Sequence, residues 1–230
     1  MRHILFFLLI VMLSPISWGA DYGKGYSAYQ KRDYATALRE WTPLAEQGDA
    51  NAQFGLGVIY NKGMGVEKNL TEAVKWYRKA AEQGDASAQF NLGNMYANGE
   101  GVLQDHKTAV KWLTLAAEQG HASAQVNLGV FCTQGLGVEK NPTEAMKWYR
   151  KAAEQGHASA QVKLGIMYLL DEGVIMDAVY SHMWLNIALS NGAENAGKVI
   201  EIAAKKLTPQ QLERAQQLAR ECVAKDYKGC

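Results

Sequence analysis

Apolar and polar positions return in a fixed order along most of this chain. The stretch from Gly48 to Gln83 reads GDANAQFGLGVIYNKGMGVEKNLTEAVKWYRKAAEQ, and it restarts at Gly84, Gly120 and Gly156, each 36 residues after the last. Gly192 stands where a fifth copy would begin, but the pattern then dissolves. Within a copy, Ala52, Leu56, Gly57 and Tyr60 share one helical face, and Ala73, Trp76 and Ala80 share another. Two amphipathic helices per period, repeated at this interval, predict a solenoid in which each unit buries its apolar face against its neighbours. The expected fold class is all-α: an α/α superhelical solenoid of helix-turn-helix units, closed by a C-terminal capping helix.

The units are read as 48–83, 84–119, 120–155 and a divergent 156–191. Residues 21–47 form a degenerate first unit, because Leu44-Ala45-Glu46-Gln47-Gly48 matches the Ala-Ala-Glu-Gln-Gly endings of later copies. Residues 192–230 supply capping helices, and the pattern gives about eleven helices in all. Gly57, Gly93, Gly129 and Gly165 recur in mid-helix, where glycine costs about 1 kcal/mol of helix propensity. A cost repeated in every unit predicts a helix–helix contact too close for a side chain. Gly63 and Gly65, with their equivalents, end the first helix and turn the chain. Asn69, Asp105, Asn141 and Asp177 then stand as N-caps, and Glu72 and Glu144 have capping-box spacing. Unit four places Asp171 where the other units have the first loop glycine. Thr208-Pro209 opens the last helix, whose apolar side holds Leu212, Ala215, Leu218, Ala219, Cys222 and Val223. Trp76, Trp112, Trp148 and Trp184 form a ladder that reads as core, opposite small alanines.

Composition narrows the setting. Hydrophobic residues make up 48% of the chain, ample for a packed core. Residues 1–20 read as a signal peptide: a basic start at Arg2, an apolar run from Ile4 to Leu13, a break at Pro15, and a small-x-small site at Ser17-Trp18-Gly19, with cleavage after Ala20 as the alternative. The apolar run is too short to span a bilayer, and no integral membrane segment is expected after cleavage. The chain is therefore expected to be exported, to the periplasm or beyond the cell. Removing a leader that carries Arg2 brings the 24 basic residues level with the 23 acidic ones, which argues against a nucleic-acid surface. Of the three cysteines, Cys222 and Cys230 are spaced for a bridge in an oxidising compartment. Cys132 falls where other units have Tyr60, Tyr96 and Tyr168, and is read as a small core residue.

The residues Ala50-Asn51-Ala52-Gln53, Leu56-Gly57, Tyr60 and Glu72-Ala73-Val74-Lys75-Trp76-Tyr77-Arg78-Lys79-Ala80-Ala81, with their copies, resemble the Sel-one-like repeat, a relative of the tetratricopeptide repeat. The resemblance spans about Gly48 to Asn191, and the tail from Leu207 to Ala219 resembles a common ending of bacterial members. It implies a concave face and an adaptor role toward a protein or peptide partner, in envelope, signalling or host-interaction processes. It also implies that the first helix of each unit lines the groove. On that reading the binding face carries Asn51, Phe54, Val58 and Asn61, then Ser87, Phe90 and Asn94 with Ala97 or Asn98, then Val126, Val130 and Thr133, then Val162, Ile166 and Leu169. The groove grows more apolar toward the C-terminus, where an apolar partner segment is expected to dock. Phe54 and Phe90 read equally well as packing between units.

A cysteine-rich branch of the family is associated with β-lactam binding and hydrolysis, the alternative function. Its paired cysteines in each repeat are absent here. No serine is followed three residues later by lysine, and neither G-x-S-x-G nor H-E-x-x-H nor Cys-x-x-Cys occurs. His121 and His157 share a helix-start position with Asp49 and Asp85 and read as solvated rather than ligating. No catalytic residue, metal site or cofactor is expected.

Overall fold

A computed structural model describes residues 19–171, 173 and 175–230. The apolar run and cleavage motif of the leader therefore lie almost wholly outside the described residues. The described chain is helical throughout: α1 (Tyr22–Gln30), α2 (Tyr34–Glu46), α3 (Ala50–Lys62), α4 (Leu70–Glu82), α5 (Ala86–Asn98), α6 (His106–Glu118), α7 (Ala122–Gln134), α8 (Pro142–Ala153), α9 (Ala158–Leu170), α10 (Ala178–Ser190), α11 (Ala196–Ala204) and α12 (Pro209–Ala224). Twelve helices thus stand where the pattern gave about eleven. From α1 to α11 each helix packs on the next in sequence, as a solenoid requires.

The recurrent glycines sit where two helices of a unit touch. A Cβ on Gly57 would lie 2.5 Å from the Tyr77 ring, and one on Gly129 equally close to the Tyr149 ring. Gly93 and Gly165 face Leu113 and Leu185 in the same way. The alanines and large residues interlock around this contact: Ala73, Ala80, Leu92 and Tyr77 are buried together, as are Ala145, Ala152, Leu128 and Tyr149. Trp76, Trp148 and Trp184 are buried and Trp112 is half-buried against the core. The buried indole N–H groups of Trp76 and Trp184 have no hydrogen-bond partner among the described residues.

The caps explain where helices begin and end. The side chains of Asn69, Asp105, Asn141 and Asp177 accept from the amides of Glu72, Thr108, Glu144 and Tyr180 at 3.0–3.1 Å. The reciprocal half of a capping box is missing in two of these, because Glu72 and Glu144 turn to Lys75 and Lys147 instead, at 2.8 and 2.9 Å. A complete box forms at Thr208 and Gln211. At the other end, Gly63, Gly99 and Gly135 close their helices in the left-handed region, and Asp171 adopts the same conformation at φ 58° without glycine's freedom.

The C-terminal part closes the stack on two sides. Helix α11 lies against α10 and reaches α9, while α12 packs on the other side of α10. Ala215 and Cys222 of α12 are buried and Leu218 and Ala219 pack on the main core. Val223, assigned to the apolar side, is 47% exposed. Cys222 and Cys230 are joined by a disulfide. The bridged tail carries Tyr227, whose hydroxyl donates to Asn191 at 3.1 Å.

Candidate functional site

The first helices α3, α5, α7 and α9 are tied to their neighbours by a buried polar rung that repeats in every unit. Gln53 donates from Nε2 to the Ala45 carbonyl at the end of α2 (2.9 Å) and accepts at Oε1 from Gln83, which ends α4 (2.7 Å). Gln89, Gln125 and Gln161 do the same, with Ala81, Ala117 and Ala153 as acceptors and Gln119, Gln155 and Asn191 as donors. All four are at least 96% buried, and each joins three helices. A buried amide costs free energy unless its groups are paired, so every rung fixes one angle between units. This sets the pitch with which the first helices present their outer side chains. The signal was in the sequence, as Ala-x-Ala-Gln and Glu-Gln-Gly at constant spacing, but nothing in one motif alone shows that it answers the other.

The predicted binding residues divide into three groups. Asn51 is exposed, and Ser87, Val58 and Val130 are half-buried. Phe54 is half-buried with its ring 5.9 Å from Tyr77, and Phe90 stacks on His121 at 4.5 Å between centroids, so each both packs and shows an edge. A second group is engaged in polar contacts. Asn94 accepts from Asn127 of the next unit at 2.7 Å, Thr133 donates to the Val130 carbonyl at 2.8 Å, and Asn61 hydrogen-bonds Tyr77. Burial pushes the Tyr77 hydroxyl up to about 12. The third group is covered. Val126, Val162 and Leu169 are buried, the last two in a cluster with Ala196 and Ala203 of α11, and Ile166 packs against that cluster. The apolar C-terminal end of the face is thus partly covered by α11, with Ile166 left half-buried, so less of it is free for docking than the sequence implies. Short α11 has its own apolar side to bury; it packs chiefly on α10 and its edge reaches α9.

From α3 to α7 the face remains open and uncharged. Its amide-bearing positions are Asn51, Asn61, Asn94 and Asn127, interleaved with Phe54, Val58, Phe90 and Val130. At the closed end a cavity of about 420 Å³ opens between α9 and the start of α11, lined by Ser159, Val162, Lys163, Ile166 and Asn195 among others.

Burial governs the titratable groups of the repeats. Cys132 is 97% buried, and burial, then the Glu144 charge, push its thiol up, the reverse of what a nucleophile needs. His121 caps α7, accepting from the Ala124 amide at Nδ1 (3.2 Å), and burial pulls its pKa down. His182 is lowered by burial and contacts Asn186 at 2.7 Å. His157 makes no cap hydrogen bond. Among the described residues no three histidine, cysteine or acidic side chains gather as metal ligands. Two of the three cysteines are joined in the tail, so no described repeat carries the stapling pair of the cysteine-rich branch, and the hydrolase alternative has no support.

Comparison with known proteins agrees with this geometry. The family pattern described as Sel1 repeat matches at residues 50–85, 86–121, 122–157 and 158–192, well over half of the chain. The chain is similar to c5321, a protective antigen of uropathogenic Escherichia coli strains with an SLR fold, at 39% identity and a TM-score of 0.79 over 88% of this chain and 45% of that one. It is similar to a Sel1 repeat protein from Oxalobacter formigenes at 34% identity and a TM-score of 0.76, covering 89% of this chain and 85% of that one. DAP3-binding cell death enhancer 1 from Rattus norvegicus is 45% identical over 47 residues, 20% of this chain and 9% of that protein. The chain thus spans less than half the length of the E. coli antigen and a small part of the rat protein. The four matched repeats and the solenoid shared with the Oxalobacter protein make this chain a member of the Sel1-repeat family.

Proposed function

We propose that the chain is an exported adaptor that holds an extended segment of another protein along the groove-lining side of α3, α5 and α7. The observation that carries this reading is the chemistry of that face. It is uncharged, with half-buried aromatic and aliphatic side chains set between amides. Amides can exchange hydrogen bonds with a peptide backbone, and Phe54, Val58, Phe90 and Val130 offer contact area for alternate side chains. The rigid rungs hold these groups in place before a partner arrives, which lowers the ordering cost of binding. Sel1-repeat proteins in general serve as interaction scaffolds. Export rests on the leader-like residues 1–20, and the Cys222–Cys230 bridge fits an oxidising compartment. No described helix is long and apolar enough to cross a membrane.

The test is a crosslinking pull-down from the native host with the tagged full chain, alongside cell fractionation. A Phe54→Asp, Val58→Asp, Val130→Asp variant, checked for helicity by circular dichroism, serves as comparison. A partner captured by the parent and lost by the variant supports the face. A partner held equally by both moves the site to the loops or the tail. Recovery in the cytoplasm alone refutes export.

A further inference from the structure

The first unit breaks the tryptophan ladder. Counting back 36 residues from Trp76, the equivalent position in α2 is Glu40. This side chain does not turn out to solvent. Glu40 is 4% exposed, and it is the one carboxylate among the described residues that is buried. Its Oε1 atom meets Lys24 Nζ at 2.9 Å and Arg39 Nη2 at 3.4 Å, both on side chains more than half exposed. Its Oε2 atom accepts from the backbone nitrogen of Asp21 at 3.2 Å. Asp21 is the N-cap of α1 and follows the alternative cleavage point after Ala20. The segment just beyond it is fixed as well: Trp41 donates from Nε1 to the Tyr22 carbonyl at 3.2 Å, and the Tyr22 ring stacks on Trp41 at 5.7 Å.

We propose that the processed chain begins at Asp21 and that Glu40 is the built-in acceptor of its terminal ammonium. The inference rests on the export reading above. Hydrolysis of the Ala20–Asp21 peptide bond by a leader peptidase adds one water: the hydroxyl goes to the Ala20 carbonyl carbon and a hydrogen to the Asp21 nitrogen. That nitrogen then takes a proton from solvent and becomes a cation. A neutral amide facing Glu40 Oε2 is thereby replaced by a positive charge at the same place, shielded from water on the carboxylate side. Cleavage one residue earlier, after Gly19, leaves an amide at Asp21 and moves the charge one residue away from Glu40. The position thus accounts for an acidic residue at the one ladder site that adjoins the amino end, where every later unit has tryptophan.

The charged groups of this corner are Asp21 and Lys24 from α1 and Arg39 and Glu40 from α2. Asp49 and Asp85 bear on the neighbouring Tyr22 hydroxyl, which burial and then their charges push up. The Glu40 carboxyl is held below the usual range by the hydrogen bond from Lys24 and then by the Asp21 nitrogen. The pairing predicts an α-amino group harder to deprotonate than the free value of about 8. Its stabilising effect is complete below that value and fades as pH rises through the raised one.

The test has two arms. The full chain is expressed in an exporting host, and the exported protein is read by intact mass and N-terminal sequencing. A start at Asp21 is expected. A start at Ala20 or elsewhere overturns the proposal while leaving export intact, and a chain that keeps residues 1–20 overturns both. The second arm measures the α-amino pKa of the exported chain from the pH dependence of its acylation, in parent and Glu40→Gln proteins. The parent value is expected about one unit above 8, with the Gln variant returning to it. Glu40→Asp, which keeps the charge, is expected to keep part of the rise. An unshifted value in the folded parent, or the same rise in the Gln variant, overturns the proposal.

Discussion

Gly129 lies in the middle of α7 against the ring of Tyr149, and replacing it by alanine pits two known effects against each other. A Cβ there would sit 2.5 Å from Cε1 and 2.8 Å from Cδ1 and Cζ of Tyr149, closer than real Cβ atoms come. Tyr149 is 2% exposed and cannot swing away, so α7 and α8 must separate by several tenths of an ångström. Overpacking of this kind costs about 1–3 kcal/mol. Alanine returns about 1 kcal/mol of helix propensity. The net expectation is a loss of up to about 2 kcal/mol, or about 2–4 °C in Tm for each kcal/mol in a chain of this size. Gly197 provides the control. It also lies in a helix, α11, but a Cβ there meets nothing within 4 Å. Gly197→Ala should gain up to about 1 kcal/mol from the propensity alone. Urea and thermal unfolding of the two variants beside the parent measure both signs. If Gly129→Ala stabilises as much as Gly197→Ala, close helix packing is not why the position holds glycine.

Other outcomes follow from the same geometry. Gln125→Ala removes hydrogen bonds to Ala117 and from Gln155, and should lower stability by about 2–3 kcal/mol, with hydrogen exchange rising first at the α6–α7–α8 junction. Asp171→Gly relieves a left-handed residue at the end of α9 and should stabilise the chain by about 0.5–1 kcal/mol in urea unfolding. Cys132 should resist a thiol reagent in the folded protein at neutral pH and react at the rate of a free thiol in denaturant, because burial raises its pKa as well as blocking access.

Much of this was legible in the sequence for one reason: repetition turns weak local signals into position-specific ones. A single mid-helix glycine means little, but Gly57, Gly93, Gly129 and Gly165 at one register forecast the close approach that the rings of Tyr77 and Tyr149 make. The caps at Asn69, Asp105, Asn141 and Asp177 were readable for the same reason. What repetition could not reach was anything settled by parts of the chain outside the repeat. Val162, Ile166 and Leu169 read as open face because their own unit leaves them bare, and only the placement of α11 buries Val162 and Leu169 and half-buries Ile166. The glutamine rungs went unread because each joins residues 30 positions apart whose motifs look unrelated. The burial of Glu40 is not legible because the groups that pair with it, Lys24 and the Asp21 nitrogen, lie in the first helix, outside the repeat.

The central claim is that the groove-lining side of α3, α5 and α7 is where a partner docks. Photo-crosslinking residues placed singly at Val58, Asn94 and Val130, and at the exposed Lys75 and Lys111 of the second helices, would test it inside the native host. The account predicts that the same partner is captured from Val58, Asn94 and Val130 and not from Lys75 or Lys111. Capture from Lys75 and Lys111, with none from the three first-helix positions, would contradict it.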